Sequence, residues 1–108
     1  MTRPAALPEA EAGFQAAVLE LAAHHGWRRQ HTRPARTRRG WRTPLTGEAG
    51  FPDLVLVRPP RLILAECKTD RGQPSPEQRA WLEALTACGL EVYVWRPRDF
   101  DRIATLLR

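Results

Sequence analysis

Lysine is almost absent from this chain. Of its 17 basic residues, 16 are arginine and only one, Lys68, is lysine. Because guanidinium serves wherever a generic positive charge is enough, a solitary lysine favours a position that needs a compact ammonium on a flexible stem, whose pKa can shift with its surroundings. This indicates chemistry at position 68. The competing explanation is a codon bias that removed lysines and left one survivor by chance.

Long apolar runs are also missing. No stretch approaches the roughly 20 residues that a membrane-spanning helix needs, and the first four residues, MTRP, lack the apolar region of a signal peptide. These absences predict a soluble protein of the cytoplasm. A length of 108 residues predicts one domain, 1–108, with a single core and one active centre.

Cysteine is scarce. Cys67 falls inside a predicted strand and Cys88 at the end of a predicted helix, without the spacing of a metal site. We therefore expect two buried free thiols rather than a disulfide. His24, His25 and His31 also lack a consistent ligand spacing, and we expect them at the surface or against phosphate.

Acidic residues are absent between Glu20 and Glu48, where arginines crowd together. Such a block attracts a polyphosphate partner, so we expect DNA binding here. The seven arginines are Arg28, Arg29, Arg33, Arg36, Arg38, Arg39 and Arg42. The alternative is a solvated basic loop, about residues 28–49, without a ligand. Trp27, His31 and Trp41 lie among them and could stack on bases or pack the loop down.

Apolar patterns predict an α/β fold. Phe14, Val18 and Leu21 recur at the spacing of one helix face within residues 8–25. Residues 54–57 and 62–65 are continuous apolar runs joined by a Pro-Pro turn, which predicts two adjacent antiparallel strands. Residues 27–50 have no clear period and could hold one short strand, a hairpin or a flexible loop.

The second half of the chain continues the pattern. Ser75, Pro76 and Gln78 match a capping box, so a helix should begin there and stop at Gly89. Residues 90–95 alternate as a strand, and a short helix should start near Asp99. The predicted order, roughly αβββαβα, is that of a central mixed sheet flanked by helices.

Two carboxylates and the lysine should meet at one end of this sheet. Side chains alternate along a strand, so Glu66 and Lys68 share a face while Cys67 turns into the core. Asp53 opens the preceding strand, beside the end of the one that carries Glu66. Two carboxylates this close repel each other unless a cation lies between them. Mg²⁺, for which Mn²⁺ should substitute, needs only one or two carboxylates plus substrate phosphate.

This arrangement suits phosphodiester hydrolysis. The metal would lower the pKa of a bound water, and Lys68 could orient or deprotonate that water and offset charge on the phosphorus. The alternative is an ordinary Glu-x-Lys tripeptide at a strand end.

Three motifs carry a resemblance to a known family: residues 50–53 (GFPD), 66–68 (ECK) and 75–78 (SPEQ). Together they resemble the PD-(D/E)xK nuclease superfamily and, more narrowly, its virus-type replication-repair branch, the VRR-NUC domain. The first helix, with Glu11 and Gln15, is similar to that family's first helix. The resemblance implies a restriction-endonuclease-like core, a divalent metal, and cleavage of DNA that is often branched, such as Holliday junctions or flaps.

The resemblance also implies site roles. The matching positions are Glu11, Asp53, Glu66, Lys68 and Gln78, with Glu11, Asp53, Glu66 and the backbone carbonyl of Cys67 as metal ligands. Two of these positions have a local explanation as well. The capping box alone accounts for Gln78, and the helix macrodipole favours an acidic residue such as Glu11 near a helix N-terminus.

The sequence therefore predicts a Mg²⁺-dependent DNA endonuclease that prefers structured or branched DNA. One active centre per chain cuts one strand, so two-strand cleavage predicts a homodimer, as the resemblance also implies. Two alternatives remain open: a DNA-binding module without hydrolysis on a nuclease fold, and a nuclease that acts on RNA.

Overall fold

The computed structural model describes residues 7–32, 35–37, 40–42 and 46–108, and for residues 7–10, 35–37 and 40–42 it describes the backbone only. The described elements, in chain order, are α1 (Leu7–His24), β1 (Arg28–His31), β2 (Ala35–Thr37), β3 (Gly40–Arg42), β4 (Leu54–Arg58), β5 (Arg61–Cys67), α2 (Pro76–Ala87), β6 (Glu91–Trp95) and α3 (Phe100–Leu107). A short 3₁₀ helix, Pro97–Asp99, leads into α3.

The described strands form a four-stranded mixed sheet in the order β1-β4-β5-β6. β4 pairs antiparallel with β1 and β5, whereas β6 lies parallel to β5. β5 is buried from Ile63 to Cys67, as expected for a central strand that is covered on both faces. The predicted α/β fold, with a mixed sheet flanked by helices, is confirmed.

The segment of unclear period contains two structures. Its first residues form β1, which joins the sheet, and β2 and β3 then form a separate antiparallel hairpin. Along the chain, the helices and the strands of the four-stranded sheet follow the predicted order αβββαβα. The β2–β3 hairpin is an additional element.

Helix α1 covers the sheet with one apolar face. Phe14, Val18 and Ala22 are buried in the same cluster as residues of the central strands and of α3. Each fully buried aliphatic side chain contributes on the order of 2 kcal/mol to folding. None of the helices in the described residues is long and apolar enough to cross a membrane.

Trp27 belongs to the core. It is 3% exposed, and its Nε1 donates a hydrogen bond of 2.9 Å to the carbonyl of Leu107. The guanidinium carbons of Arg58 and Arg61 lie 4.6 and 5.2 Å from the centre of its ring. Of the two roles left open, Trp27 therefore packs the chain down and is not available to stack on bases. The side chain of Trp41 lies outside the described residues.

The two cysteines differ from each other. Both are free thiols, and Cys67 is buried as expected. The prediction of burial is wrong for Cys88, which is exposed. Cys88 is the C-cap of α2, and no residue of that helix is fully buried, so its end projects from the core.

Candidate active site

The register of β4 and β5 brings the predicted acidic pair together. Leu54 pairs with Ala65, so Asp53, just before β4, adjoins Glu66 near the end of β5. The backbone N–H of Cys67 donates a hydrogen bond of 3.2 Å to Asp53 Oδ2. Lys68 Nζ lies 3.6 Å from Glu66 Oε2. Asp53, Glu66 and Lys68 thus meet at the carboxyl end of β5, as strand alternation predicts.

Glu66 is a buried carboxyl group whose two oxygens differ in their hydrogen bonding. Its residue is 1% exposed, and its Oε2 accepts a hydrogen bond of 2.8 Å from Gln78 Nε2. Within the described residues, its Oε1 has no hydrogen-bond partner. Burial and the neighbouring Asp53 raise the pKa of Glu66 to about 8, against an opposing effect of Lys68. A buried polar atom without a partner is costly, and a bound cation would relieve that cost.

Gln78 serves the helix cap and the site at once. Its side-chain Oε1 accepts a hydrogen bond of 2.8 Å from the N–H of Ser75, and its own N–H donates one of 3.2 Å to Ser75 Oγ. These bonds form the predicted capping box of α2. Because a carboxamide has both an acceptor and donors, its Nε2 remains available to Glu66. The two explanations considered for Gln78 are therefore compatible.

Helix α1 brings two polar side chains to the same centre. Burial raises the pKa of Glu11, while Lys68 lowers it and Asp53 raises it further, so the Glu11 carboxyl lies within the field of both groups. Gln15 Nε2 donates a hydrogen bond of 3.1 Å to Asp53 Oδ2. Sequence reasoning placed Glu11 at the site but gave Gln15 no role. The available signal was the spacing, because residues four apart on a helix share a face.

The residues just before β4, 50–53, pack against the first turn of α2. Gly50 has a φ of +103°, and a Cβ built on it would lie 2.6 Å from the carbonyl carbon of Glu77 and 2.8 Å from the backbone nitrogen of Gln78. Phe51 packs edge-to-face on Trp81 with ring centres 5.0 Å apart. The residues that lead to Asp53 therefore also position the helix that carries Gln78.

The carboxylates of Asp53 and Glu66 are oxygen ligands of the kind that suits a hard cation with few protein ligands. In the described ranges, no group of three or more His, Cys, Asp or Glu side chains is placed to hold a metal ion. Asp53 and Glu66 are two adjoining carboxylates, and Glu66 Oε1 has no hydrogen-bond partner among the residues that the structure describes. Mg²⁺ accepts such a site because it retains several waters. The predicted metal roles of Glu11 and of the Cys67 carbonyl stay predictions.

The arginine-rich segment is described only in part. Arg28 and Arg29 are exposed on the edge strand β1, and Arg29 Nη1 donates a hydrogen bond of 3.3 Å to the carbonyl of Leu19. Arg28 lies opposite Val57, toward the end of the sheet away from Asp53. The side chains of Arg36 and Arg42 and the whole of Arg33, Arg38 and Arg39 lie outside the described residues.

Comparison with known proteins gives one family. The family model of the VRR-NUC domain matches residues 14–99. A solved structure described as a VRR_NUC domain is 22% identical, with a TM-score of 0.67 over 91% of this chain and 94% of that chain. Another, a VRR_NUC domain protein, is 21% identical, with a TM-score of 0.64 over 90% of this chain and 84% of that one. Among curated proteins, none matches. At these identities the two structures bear on the fold alone.

Proposed function

Because the chain belongs to the VRR-NUC domain family, which has a nuclease-type fold, we propose that it is a Mg²⁺-dependent endonuclease that hydrolyses phosphodiester bonds in DNA. The observation that carries this proposal is the buried Glu66, which adjoins Asp53 and Lys68 and whose Oε1 has no hydrogen-bond partner among the described residues. A module that only binds DNA has no use for two adjoining carboxylates, because they repel phosphate and each other.

The residues divide the work between holding the ion and moving the proton. Asp53, Glu66, the carbonyl of Cys67 and Glu11, whose pKa responds to both Lys68 and Asp53, would hold Mg²⁺. When bound, the ion would supply Lewis-acid polarisation of the phosphate and a lowered pKa for the attacking water. Lys68 is partly accessible, with 17% of its side chain exposed. Its ammonium can orient that water and offset negative charge on the phosphoryl group, or its amine can accept the proton.

The proposed substrate is DNA, with a preference for branched forms such as Holliday junctions and flaps. A net charge of +5 and the cluster of arginines between Glu20 and Glu48 favour a polyanion. These features bind RNA as well as DNA, since both present phosphates. We propose DNA because the resemblance to the family implies it. Competition between DNA and RNA substrates in the cleavage assay tests this choice.

Cleavage assays test this proposal. The purified protein would be given Mg²⁺, Mn²⁺ or EDTA with duplex, single-stranded, flap and four-way-junction DNA, each labelled on separate strands, and with RNA of the same sequences. We expect metal-dependent cuts near branch points. Asp53→Asn and Glu66→Gln should abolish cleavage and still bind DNA. Binding without cleavage by the parent protein would favour the non-catalytic module, and cleavage of RNA alone would favour the ribonuclease.

We also propose that the protein acts as a homodimer, because one centre cuts one strand at a time. Sedimentation would give the mass of the species in solution. A mixing experiment tests its function: adding excess Glu66→Gln protein to the parent should convert paired cuts in a four-way junction into single nicks. If paired cuts fall only in proportion to the parent concentration and nicks do not rise, the two cuts come from independent monomers.

A further inference from the structure

Each of the two adjoining carboxylates is held by a glutamine from a different helix. Gln15 Nε2 of α1 donates to Asp53 Oδ2 at 3.1 Å, and Gln78 Nε2 of α2 donates to Glu66 Oε2 at 2.8 Å. The capping box explains why α2 carries a glutamine at position 78. No helix signal explains Gln15, which lies in the middle of α1 and is half-buried beside the apolar face.

The hydrogen bonds on Asp53 are concentrated on one oxygen. Gln15 Nε2 and the backbone N–H of Cys67, at 3.1 and 3.2 Å, both reach Oδ2, and Oδ1 takes neither bond. Two donors on one oxygen fix the rotation of the carboxylate and leave its other oxygen for a cation. The arrangement on Glu66 is similar, since its Oε2 accepts the bond from Gln78 and its Oε1 has no partner in the described part of the chain.

A carboxamide is better suited than a basic side chain to orient a carboxylate that also binds a cation. An amide N–H orients a carboxylate, yet the neutral group adds no positive charge that would compete with a metal ion. A lysine or arginine at position 15 would form an ion pair with the Asp53 carboxylate, and its positive charge would repel the metal ion. A glutamate there would repel Asp53.

We propose that Gln15 is a positioning residue for the metal centre, which acts by fixing the Asp53 carboxylate so that Oδ1 is presented to the ion. This inference rests on the proposed metal-dependent function. Groups that orient metal ligands in this way typically contribute 10–100-fold to metal affinity or activity. Gln15 also connects α1 to the centre across 38 residues of sequence.

The test replaces the donor and keeps the shape. Gln15→Met has nearly the same length but no hydrogen-bond donor, and Gln15→Asn keeps the amide on a shorter stem. Gln30→Met is the control, because Gln30 is an exposed glutamine on β1. Binding of Mn²⁺ would be measured without DNA, by titration calorimetry and by the electron paramagnetic resonance of free Mn²⁺.

We expect Mn²⁺ binding to weaken by about 10-fold or more in both Gln15 variants and to stay at the parental value in the control. Single-turnover cleavage by Gln15→Met should recover as Mn²⁺ is raised, because a misplaced ligand weakens binding before it harms the chemical step. Thermal unfolding in EDTA should change little, since Asp53 keeps its bond from Cys67.

Two results would overturn the inference in distinguishable ways. Parental Mn²⁺ affinity in Gln15→Met, with the parent protein active, would leave the proposed function intact and show that Gln15 has no positioning role. A parent protein that binds no Mn²⁺ would remove the proposed function and this inference together. If Gln15→Met does not fold, Gln15→Asn carries the same comparison.

Discussion

At the scale of the residue, Lys68 is where composition and geometry agree. The chain's one lysine lies 3.6 Å from the buried Glu66 carboxylate, whereas arginine fills all sixteen other basic positions. We expect Lys68→Arg to lose on the order of 10²-fold in single-turnover cleavage, nearly as much as Lys68→Ala. Guanidinium is larger, planar and does not give up its proton, so it crowds the site and cannot act as a base.

The measurement is single-turnover cleavage of a flap or junction in saturating Mg²⁺. Mn²⁺ binding by the two variants serves as the control and should survive. Near-parental cleavage by Lys68→Arg would show that position 68 supplies charge alone and that its lysine is an accident of composition.

We expect Glu66 to make the stability of the protein in EDTA sensitive to pH. Its pKa of about 8 in the folded state lies above its ordinary value, so the folded protein keeps a proton that the unfolded chain releases. Stability from this group is therefore full below the ordinary pKa and is lost as pH rises toward 8.

Glu66→Gln should remove this dependence, because the amide cannot ionise and its oxygen can still accept the bond from Gln78. In EDTA we expect the variant to be more stable than the parent at pH 8 and to lose less stability between pH 5 and pH 8. Urea unfolding at the two pH values measures the difference. Equal pH dependence in both proteins would mean that Glu66 is ionised when folded.

At the scale of the element, the N-terminus of α2 separates helix capping from site chemistry. Ser75→Ala removes the hydroxyl that caps the helix but leaves the bond from Gln78 to Glu66, so stability should fall by about 1 kcal/mol with cleavage nearly unchanged. Gln78→Glu keeps a capping box and loses the donor to Glu66. We expect its cleavage to fall at least about 10-fold.

Thermal unfolding and single-turnover rates of these two variants provide the comparison. Each variant is the control for the other, because both alter the same helix turn. If Gln78→Glu cleaves like the parent, the role of Gln78 is confined to the cap.

Gly50 sets the distance between the strand that follows Asp53 and the first turn of α2. Gly50→Ala forces a Cβ to within 2.6 Å of backbone at Glu77 and requires a φ of +103° that alanine disfavours. We expect a loss of at least about 2 kcal/mol in stability and weaker cleavage, because α2 carries Gln78. Gly13→Ala is the control: a Cβ there meets nothing within 4 Å, and alanine should stabilise α1 by roughly 0.5–1 kcal/mol. Equal stability of the two variants in thermal unfolding would contradict this account.

At the scale of the whole molecule, the arginines have different tasks. Arg58 donates to the carbonyls of His25 and Leu107, and Arg61 to Leu106 and to both carboxylate oxygens of Glu91. These two tie the ends of α1 and α3 to the sheet at the β4–β5 turn, the end of these strands away from the candidate site. The net charge therefore overstates the surface that is free to meet a polyanion.

Arginines between Glu20 and Glu48 should supply that surface. Replacing Arg36, Arg38 and Arg39 with glutamine should weaken DNA binding and reduce the slope of log affinity against log salt by about 0.9 for each duplex phosphate that the variant no longer neutralises. Arg102→Gln is the control, since Arg102 is an exposed arginine on α3. Fluorescence anisotropy over a range of salt concentrations gives the slope. A slope that does not change would identify the segment as a solvated loop.

Local signals in the sequence determined most of the fold and the acidic pair with its lysine. Strand alternation put Glu66 and Lys68 on one face, and the Pro-Pro turn set the register that brings Asp53 beside them. The capping box correctly predicted that α2 begins after Ser75. These features were readable because each depends on the period of a strand or on bonds between residues a few positions apart.

Only the tertiary structure decided what the long-range neighbours do. Gln15 lies 38 residues from Asp53, and its hydrogen bond to Asp53 depends on how α1 is rotated about its axis over the sheet. The helical period in the sequence predicts which face of α1 is buried but does not fix that rotation. The close approach of Gly50 to Glu77, the burial of Trp27 and the exposure of Cys88 depend on the same packing of helices. The sequence by itself determines which residues share a face, and packing determines which partner each face meets.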